Sequence, residues 1–211
     1  MKRKKQIDYW VDINSGKPRY EFNNLYKNVK DPWHCKSPSI ADALNNHLFI
    51  EILFFNSIKY ESMLDIGCGL GLLSNELYKS NQGKLLATDT SEVAVEKAKK
   101  LFPELEFKKF DIIKDPPINK KFNLITLSEV LWYFVEYLDE VFDKLISMLD
   151  NNGCIGIKQD FPNNQKFFKE YLNGHDEFIK FAINKGFATN TIILSNNNDT
   201  KVLLCKLDLV I

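Results

Sequence analysis

Residues 63–73 read Met-Leu-Asp-Ile-Gly-Cys-Gly-Leu-Gly-Leu-Leu, and this stretch decides the fold. An apolar run containing Asp65 passes through Gly67, Gly69 and Gly71 and then opens into a helical pattern. This order is typical of a strand, a tight turn and a helix N-terminus, the first unit of a doubly wound parallel sheet. Glycines let the backbone turn sharply and let a ligand approach closely, and free amides at the helix start favour polar or anionic ligand atoms.

The glycine spacing indicates which ligand this turn suits. A dinucleotide fingerprint is G-x-G-x-x-G, whereas this chain has G-x-G-x-G with Leu72 in the sixth position. The phosphate-binding pattern G-x-x-x-x-G-K-[ST] is also absent from the stretch. Asp65 would be badly placed against a pyrophosphate, but it suits a ligand that carries a cationic amino group.

The same residues resemble motif I of the class I methyltransferases that use S-adenosylmethionine. The resemblance extends from about Tyr9 to the end of the chain. It implies S-adenosylmethionine as the cofactor and S-adenosylhomocysteine as the product. It also implies an α/β fold, a Rossmann-like, doubly wound sheet of seven strands with a C-terminal antiparallel hairpin and an N-terminal helical lid. We expect one domain over residues 1–211, with the lid and a helix in residues 1–60, the cofactor-binding sheet in residues 61–211, and a helical insertion near residues 163–185.

Composition excludes several classes of function. The 211 residues carry 28 Lys and Arg against 28 Asp and Glu, so net charge gives no support for a nucleic-acid partner. No apolar stretch is long enough to span a membrane. The four cysteines are scattered without metal-ligand spacing, which favours reduced thiols, no metal site and a cytoplasmic location. We expect a small-molecule substrate, and the sequence leaves open a monomer or a homodimer.

Acids follow two further predicted strands. Residues 84–89 end in Asp89, and an acid at this strand end can accept both ribose hydroxyls of an adenosine. Asp111 and Ile112 follow a strand at residues 105–110; in the family such an acid meets the adenine amino group and the apolar residue lies on the ring, although a turn-forming aspartate is the alternative. The cofactor contacts that the resemblance implies are Trp10, Asp65, Gly67, Cys68, Gly69, Gly71, Asp89, Thr90, Asp111, Ile112 and Ser128.

The stretch Ser-Glu-Val-Leu-Trp-Tyr at residues 128–133 follows the predicted strand at residues 122–127. Ligands bind at the carboxyl ends of strands in an open α/β sheet. The stretch resembles motif IV of the family and is especially similar to the NodS-like pattern. Trp132 and Tyr133 are therefore expected to wall the methyl-transfer site, and Glu129 to orient or deprotonate the acceptor. Ordinary aromatic packing at a helix start is the alternative.

The N-terminal segment carries two further signatures. A Tyr-Trp element that includes Trp10 is similar to one that folds over the cofactor in small-molecule methyltransferases, where a ring face could attract the sulfonium. Packing on the helices of the sheet is the alternative for Trp10. Asp-Pro-Trp-His at residues 31–34 resembles the NodS-like enzymes, which N-methylate an amino sugar of a chitooligosaccharide. The candidate catalytic residues are Glu129, His34 and Asp160, and the candidate substrate contacts are Trp33, Trp132, Tyr133 and His175. The alternatives are an exposed or structurally bonded loop histidine for His34, a surface position for His175 and a turn-forming role for Asp160.

Periodicity predicts the surrounding elements. Ser37 and Pro38 are expected to start a helix that ends near residue 56. Its predicted apolar stripe consists of Ile40, Leu44, Leu48, Ile52 and Phe55. Further predictions are a helix at residues 135–149, a strand at 154–158, amphipathic segments at 167–172 and 178–185, and a closing hairpin turning at 196–199.

These features predict methyl transfer to a small polar acceptor, with an amine of a sugar or small metabolite ahead of a hydroxyl. An O-methyltransferase of a carbohydrate or small metabolite and a catalytically inactive binding module of the same fold are the alternatives. A nicotinamide oxidoreductase fits the sheet, but it does not fit Leu72 or the closing hairpin.

Overall fold

A seven-stranded sheet forms the centre of the molecule in a computed structural model that describes residues 5–55, 58–196 and 200–210. The strands are β1 (Ser62–Ile66), β2 (Lys84–Asp89), β3 (Glu106–Lys109), β4 (Phe122–Ser128), β5 (Leu149–Pro162), β6 (Phe187–Asn196) and β7 (Thr200–Leu209). Their order is β3-β2-β1-β4-β5-β7-β6, in which the first five are parallel and β7 runs antiparallel to both neighbours. This confirms the Rossmann-like sheet with a closing antiparallel hairpin; residues 197–199 of the predicted hairpin turn lie outside the described residues.

Helices cover both faces of the sheet. They are α1 (Phe22–Asn28), α2 (Ile40–Leu53), α3 (Leu72–Asn81), α4 (Glu92–Leu101), α5 (Leu138–Met148) and α6 (His175–Asn184). Neighbouring residues on β4 point to opposite faces, so Ile125 joins a core with Phe142 of α5 while Leu124 joins another with Phe49 of α2. This explains why the central strands read as continuous apolar runs. Among the described residues, the helices are too short or too polar to cross a bilayer.

Helix α2 confirms only part of the predicted apolar stripe: Leu48 and Ile52 pack against the core, but the other three residues are exposed. Ile40 is 90% exposed and Leu44 is 53% exposed, whereas Phe49 and Leu53 are fully buried. The buried face is therefore rotated relative to the predicted one. The packing of α2 against β5 gives the reason. Gly156 of β5 has no side chain, and Leu53 and Phe49 fill that space: a Cβ on Gly156 would lie 2.5 Å from Leu53 Cδ2 and 3.2 Å from Phe49 Cζ.

The start of α2 also differs from the prediction. Ser39, and not Ser37, is the cap: its hydroxyl accepts from the backbone N–H of Asp42, and the Asp42 carboxylate accepts from the Ser39 N–H. This reciprocal pair satisfies two groups at the helix start. Helix α2 begins at Ile40 and ends at Leu53, and residue 56 lies outside the described part of the chain.

The predicted insertion at residues 163–185 is helical only in α6. Residues 163–174 form turns, and Phe168 has a φ of +64°, which is incompatible with a continuous helix. The buried Gln165 side chain donates to the carbonyls of Phe167 at 2.9 Å and Leu172 at 2.8 Å. A side-chain amide thus satisfies backbone groups that a helix would have paired.

Two boundaries around β5 are also corrected. Helix α5 begins at Leu138 because two 3-10 turns, Leu131–Tyr133 and Val135–Tyr137, precede it. Strand β5 is much longer than the predicted residues 154–158, and Leu149, the last residue of the predicted helix, is its first residue. The long partner β7 accounts for the carboxyl-end extension, since its pairing with β5 continues to Pro162.

Helix α1 is held against α4 by polar contacts at both ends. Asn23 Oδ1 accepts from Ser91 Oγ at 3.0 Å, and Lys97 Nζ donates to the carbonyl of Tyr26. Ser91 also caps α4 by accepting from the N–H of Ala94. These contacts fix the segment before the sheet, called here the N-terminal arm (residues 5–35), over the carboxyl edge of β1 and β2.

Candidate functional site

The glycine loop, residues 67–71, lies between β1 and α3, and its glycine positions have no room for side chains. Gly67 and Gly69 have φ values of +76° and +55°, in the left-handed region that favours glycine. A Cβ on Gly67 would lie 2.4 Å from Val130 Cγ1, and one on Gly69 would lie 2.7 Å from Tyr26 Oη. The loop is therefore packed between the segment after β4 and the N-terminal arm, which leaves no room for a side chain at either glycine.

Asp65 lies inside the fold. It is 2% exposed, and its two carboxyl oxygens accept from Ser74 Oγ at 2.5 Å and from Thr126 Oγ1 at 2.8 Å. Burial raises the pKa of this carboxyl, while the two hydroxyl donors oppose the rise. These two hydrogen bonds connect β1 to α3 and β4 through the Asp65 side chain, and contact of Asp65 with a ligand ammonium group stays a prediction.

Asp89 lies at the carboxyl end of β2, against the glycine loop. Oδ2 accepts from the Gly69 N–H at 2.9 Å, and Oδ1 accepts from the Ser91 N–H at 2.7 Å. Burial raises the pKa of Asp89 to about 6, and the two backbone donors oppose the rise. A carboxylate oxygen can accept more than one hydrogen bond, so both oxygens retain capacity for ligand hydroxyls. Thr90, the next residue, is half-buried.

Asp111 and Ile112 lie in a turn after β3. Asp111 Oδ1 accepts from the Ile113 N–H at 3.1 Å, and Oδ2 lies 3.4 Å from Lys114 Nζ. Ile112 is 7% exposed and packs in the core shared with α5. Asp111 therefore has the turn-forming role that was the alternative, and its contact with an adenine stays a prediction.

Four rings form an aromatic cluster above the glycine loop. The Tyr133 ring lies 4.9 Å from Phe22, 5.8 Å from Trp10 and 6.2 Å from Trp33, measured between centroids. Burial raises the pKa of Tyr133, and the nearby Glu129 and Asp89 raise it further. The arm thus brings Trp10 and Trp33 together with Tyr133 and adds Phe22, which the sequence did not single out, while contact of these rings with a ligand stays a prediction.

Tyr26 is a second residue that sequence reasoning missed. Its hydroxyl accepts from Trp33 Nε1 at 3.0 Å and lies against Gly69. The spacing of Phe22 and Tyr26, four residues apart in a short helix, is the signal that places both rings on one face.

Trp132 and His175 lie together on another ring. Trp132 packs edge-on against Phe161 at 5.2 Å, and its Nε1 donates to the Asp160 carbonyl at 3.1 Å. The His175 ring lies 6.2 Å from Phe161, and its Nε2 lies 3.2 Å from Asp176 Oδ1. These ring contacts are at the end of β5 and separate from those of the aromatic cluster, so a substrate contact for either residue stays a prediction.

Two carboxyl groups meet at the ends of β4 and β5. Glu129 Oε2 accepts from Gln159 Nε2 and from the Asp160 N–H, each at 3.0 Å. Burial raises the pKa of Glu129 to about 8, Asp160 adds to the rise, and Lys158 opposes it. Burial likewise raises the pKa of Asp160. Glu129 also has a φ of +58°, which is unusual for a residue with a side chain and accompanies functional positions.

The hydrogen bonds to Glu129 in the described part of the chain all go to Oε2. Oε1 therefore remains available to a ligand. Lys158 Nζ donates to Asn46 Oδ1 of α2 at 2.8 Å, which places a cation beside the carboxyl pair. His34 lies on the surface near the end of the N-terminal arm, with a φ of +54°, and the structure does not bring it into this group.

The remaining predicted cofactor residues lie around the loop. Cys68 and Ser128 are half-buried, Gly71 precedes α3 with a φ of +79°, and burial raises the pKa of the Cys68 thiol. No group of three or more His, Cys, Asp or Glu among the described residues is arranged to hold a metal ion.

Comparison with known proteins agrees with this geometry. A family model described as a methyltransferase domain matches residues 64–155, from the glycine loop into β5. Over these residues the chain is similar to methyltransferase domains. Solved structures with a similar fold contain S-adenosylmethionine or S-adenosylhomocysteine. The Asp89 carboxylate, which accepts from the Gly69 N–H of the glycine loop, offers oxygen acceptors that fit the hydroxyls of S-adenosylmethionine.

Individual relatives define how far the likeness extends. Malonyl-[acyl-carrier protein] O-methyltransferase 1 of Ilyobacter polytropus is 30% identical over 138 residues, which are 63% of this chain and 50% of that protein. The chain therefore spans about half the length of this relative. The N-methyltransferase NodS from Bradyrhizobium japonicum, solved with S-adenosylhomocysteine, superposes with a TM-score of 0.73 at 16% identity, covering 90% of this chain and 97% of that one. The [4+2]-cyclase SpnF superposes with a TM-score of 0.65 at 12% identity, covering 78% and 81%. Since one fold carries different reactions, the acceptor has to be argued from the site.

Proposed function

We propose that this chain transfers a methyl group from S-adenosylmethionine to a small polar acceptor, with an amine of a sugar or small metabolite ahead of a hydroxyl. The observation that carries the proposal is the carboxyl of Glu129, held through Oε2 and with Oε1 available, beside Asp160. It lies at the carboxyl ends of β4 and β5, where ligands bind in open α/β sheets.

On the cofactor side, the glycine loop and Asp89 have separate roles. We propose that the loop accommodates the amino-acid part of the cofactor and that Asp89 accepts the ribose hydroxyls. Gly69 N–H already donates to Asp89, so the loop and the carboxylate are oriented as one unit. When bound, S-adenosylmethionine supplies an electrophilic methyl group on a sulfonium. The electron-rich faces of the aromatic cluster suit a cation of this kind.

On the acceptor side, Glu129 takes the proton that an amine must lose. The C–N bond forms as the C–S bond breaks, and the nitrogen proton goes to Glu129 Oε1. A base whose pKa burial raises to about 8 matches the acidity of an ammonium group far better than that of an alcohol. Asp160 favours a cationic ligand beside Glu129, because it adds negative charge at the same place. This difference in basicity favours an amine.

One relative supports transfer to nitrogen, and another supports transfer to oxygen. NodS is an N-methyltransferase, and its structure covers 90% of this chain. The Ilyobacter protein is named as an O-methyltransferase of malonyl-[acyl-carrier protein]. An acid acceptor needs no base, and the Lys158 ammonium beside the carboxyl pair would then pair with it. Transfer to oxygen is therefore the second candidate.

The test is methyl transfer from labelled S-adenosylmethionine by the purified chain to glucosamine and ethanolamine, with malonate and glycerol as oxygen acceptors. We expect transfer to an amine, and a loss of kcat of about 100-fold or more in Glu129→Gln, with S-adenosylhomocysteine affinity retained. Glu140→Gln, an exposed glutamate on α5, is the matched control and should retain wild-type kcat. Wild-type kcat in Glu129→Gln would remove Glu129 from the mechanism. S-adenosylhomocysteine binding without transfer to any acceptor would favour an inactive binding module.

A further inference from the structure

Gln159 connects the Glu129 carboxyl to the backbone of the following turn. Its side chain is 1% exposed, Nε2 donates to Glu129 Oε2 at 3.0 Å, and Oε1 accepts from the Leu131 N–H at 3.0 Å. The Leu131 N–H needs an acceptor, so the amide oxygen must face it and the NH₂ group must face Glu129. The orientation of this buried amide is therefore determined by its two partners.

We propose that Gln159 is a positioning residue that holds Glu129 Oε2 and stabilises its ionised form, so that Oε1 meets the acceptor. The inference rests on the proposed function of Glu129 as the base. An N–H donor favours a carboxylate over a carboxylic acid, and a buried hydrogen bond to a charge is stronger than one between neutral groups. Gln159 also ties Glu129 to the 3-10 turn Leu131–Tyr133, which carries the central ring of the aromatic cluster.

Other charged and titratable groups also face Glu129. Asp160 on β5 and Asp42 on α2 raise its pKa, and Lys158 on β5 lowers it. The phenol of Tyr133 is a further neighbour. All four stay in place when Gln159 is replaced, so a difference between wild type and a Gln159 variant reports the amide.

The experiment measures Glu129 directly and needs no acceptor. Carbon-13 NMR follows the side-chain carboxyl carbon of Glu129 in the full chain from pH 5 to pH 10, with Glu129→Gln identifying the resonance. In Gln159→Leu we expect the titration midpoint to rise by about one to two pH units, because a hydrogen bond to the ionised form is lost. In the wild type, the Gln159 side-chain NH₂ resonances should titrate with the same midpoint as Glu129.

Gln165→Leu is the matched control, since Gln165 is also buried but donates to the carbonyls of Phe167 and Leu172. It should leave the Glu129 midpoint unchanged. Retained affinity for S-adenosylhomocysteine shows that Gln159→Leu is folded. An unchanged midpoint in that variant overturns the proposal. If Gln159→Leu does not fold, the midpoint in Gln159→Met and the titration of the Gln159 NH₂ resonances in the wild type decide instead. NH₂ resonances whose midpoint differs from that of Glu129 overturn the proposal. A shifted midpoint without transfer to any acceptor supports the hydrogen-bonding role and refutes the proposed function.

Discussion

Replacing Asp89 with asparagine should remove a pH dependence of stability that this carboxyl creates. Burial raises the pKa of Asp89 from 3.8 to about 6. A carboxyl whose folded pKa is raised contributes its stability in full below its ordinary pKa and loses it as pH rises through the folded value. The shift of roughly two units corresponds to about 3 kcal/mol over the whole range. Between pH 4.5 and 7.5, about 2 kcal/mol of this contribution should disappear.

The assay is urea unfolding of wild type and Asp89→Asn at a series of pH values. The free energy of unfolding of wild type minus that of the variant should fall by about 2 kcal/mol between pH 4.5 and 7.5, mostly between pH 4.5 and 6. Other buried carboxyls contribute equally to both proteins, so the difference isolates Asp89. The variant also loses one acceptor for the Gly69 or Ser91 N–H, but that loss does not depend on pH. A difference that stays constant across this range would refute the reasoning.

Three further substitutions test the packing of the loop and the arm. Gly67→Ala forces a Cβ to 2.4 Å from Val130 Cγ1 at a φ of +76°, so backbone strain and overpacking should lower the free energy of unfolding by roughly 2–5 kcal/mol. Gly174→Ala is its control for backbone strain alone, because nothing lies within 4 Å of a Cβ there; its φ of 84° and ψ of 179° are nearly confined to glycine, so urea unfolding should show a loss of about 1–3 kcal/mol. Tyr26→Phe removes the acceptor of an indole N–H and should cost about 1 kcal/mol in the same measurement. Lys97→Met removes the donor to the last turn of α1, so hydrogen exchange should quicken in α1 and stay unchanged in β4; equal rates in α1 would show that this contact does not hold the arm.

Local signals in the sequence predict the parts of the fold that local chemistry determines. Strand β2 lies at the predicted residues, since Asp89 ends the strand and Ser91 caps the next helix two residues later. The glycine loop is predicted for the same reason. Its residues need positive φ values whatever packs around them.

Helix α2 shows what a local signal cannot decide. Ile40 and Leu44 begin one apolar stripe at helical spacing, and Phe49 and Leu53 belong to another. The helical periodicity of the sequence does not favour one of these stripes over the other. The space above Gly156, more than 100 residues later in the sequence, admits Leu53 and so selects the second stripe.

The candidate site also contains some features that the local sequence predicts and others that depend on distant parts of the chain. Glu129 and Asp160 follow predicted strands, so their position at the sheet edge is visible in the sequence. The bridge made by Gln159 depends on strand register across 30 residues, and no local pattern marks it. Asp65 precedes the loop as predicted, but the hydroxyls that engage it come from α3 and β4.

The position of the N-terminal arm has a consequence for engineering. Trp10, Phe22 and Trp33 reach the aromatic cluster from one contiguous stretch before the sheet, whereas the glycine loop and Asp89 lie in residues 64–155. A library that varies only Trp10, Phe22 and Trp33 would change the aromatic cluster and leave the glycine loop and Asp89 unchanged. If the arm is replaced by that of a related protein, Asn23 and Tyr26 need to be kept. Asn23 and the Tyr26 carbonyl bind α4 and its cap, and the Tyr26 hydroxyl packs against Gly69.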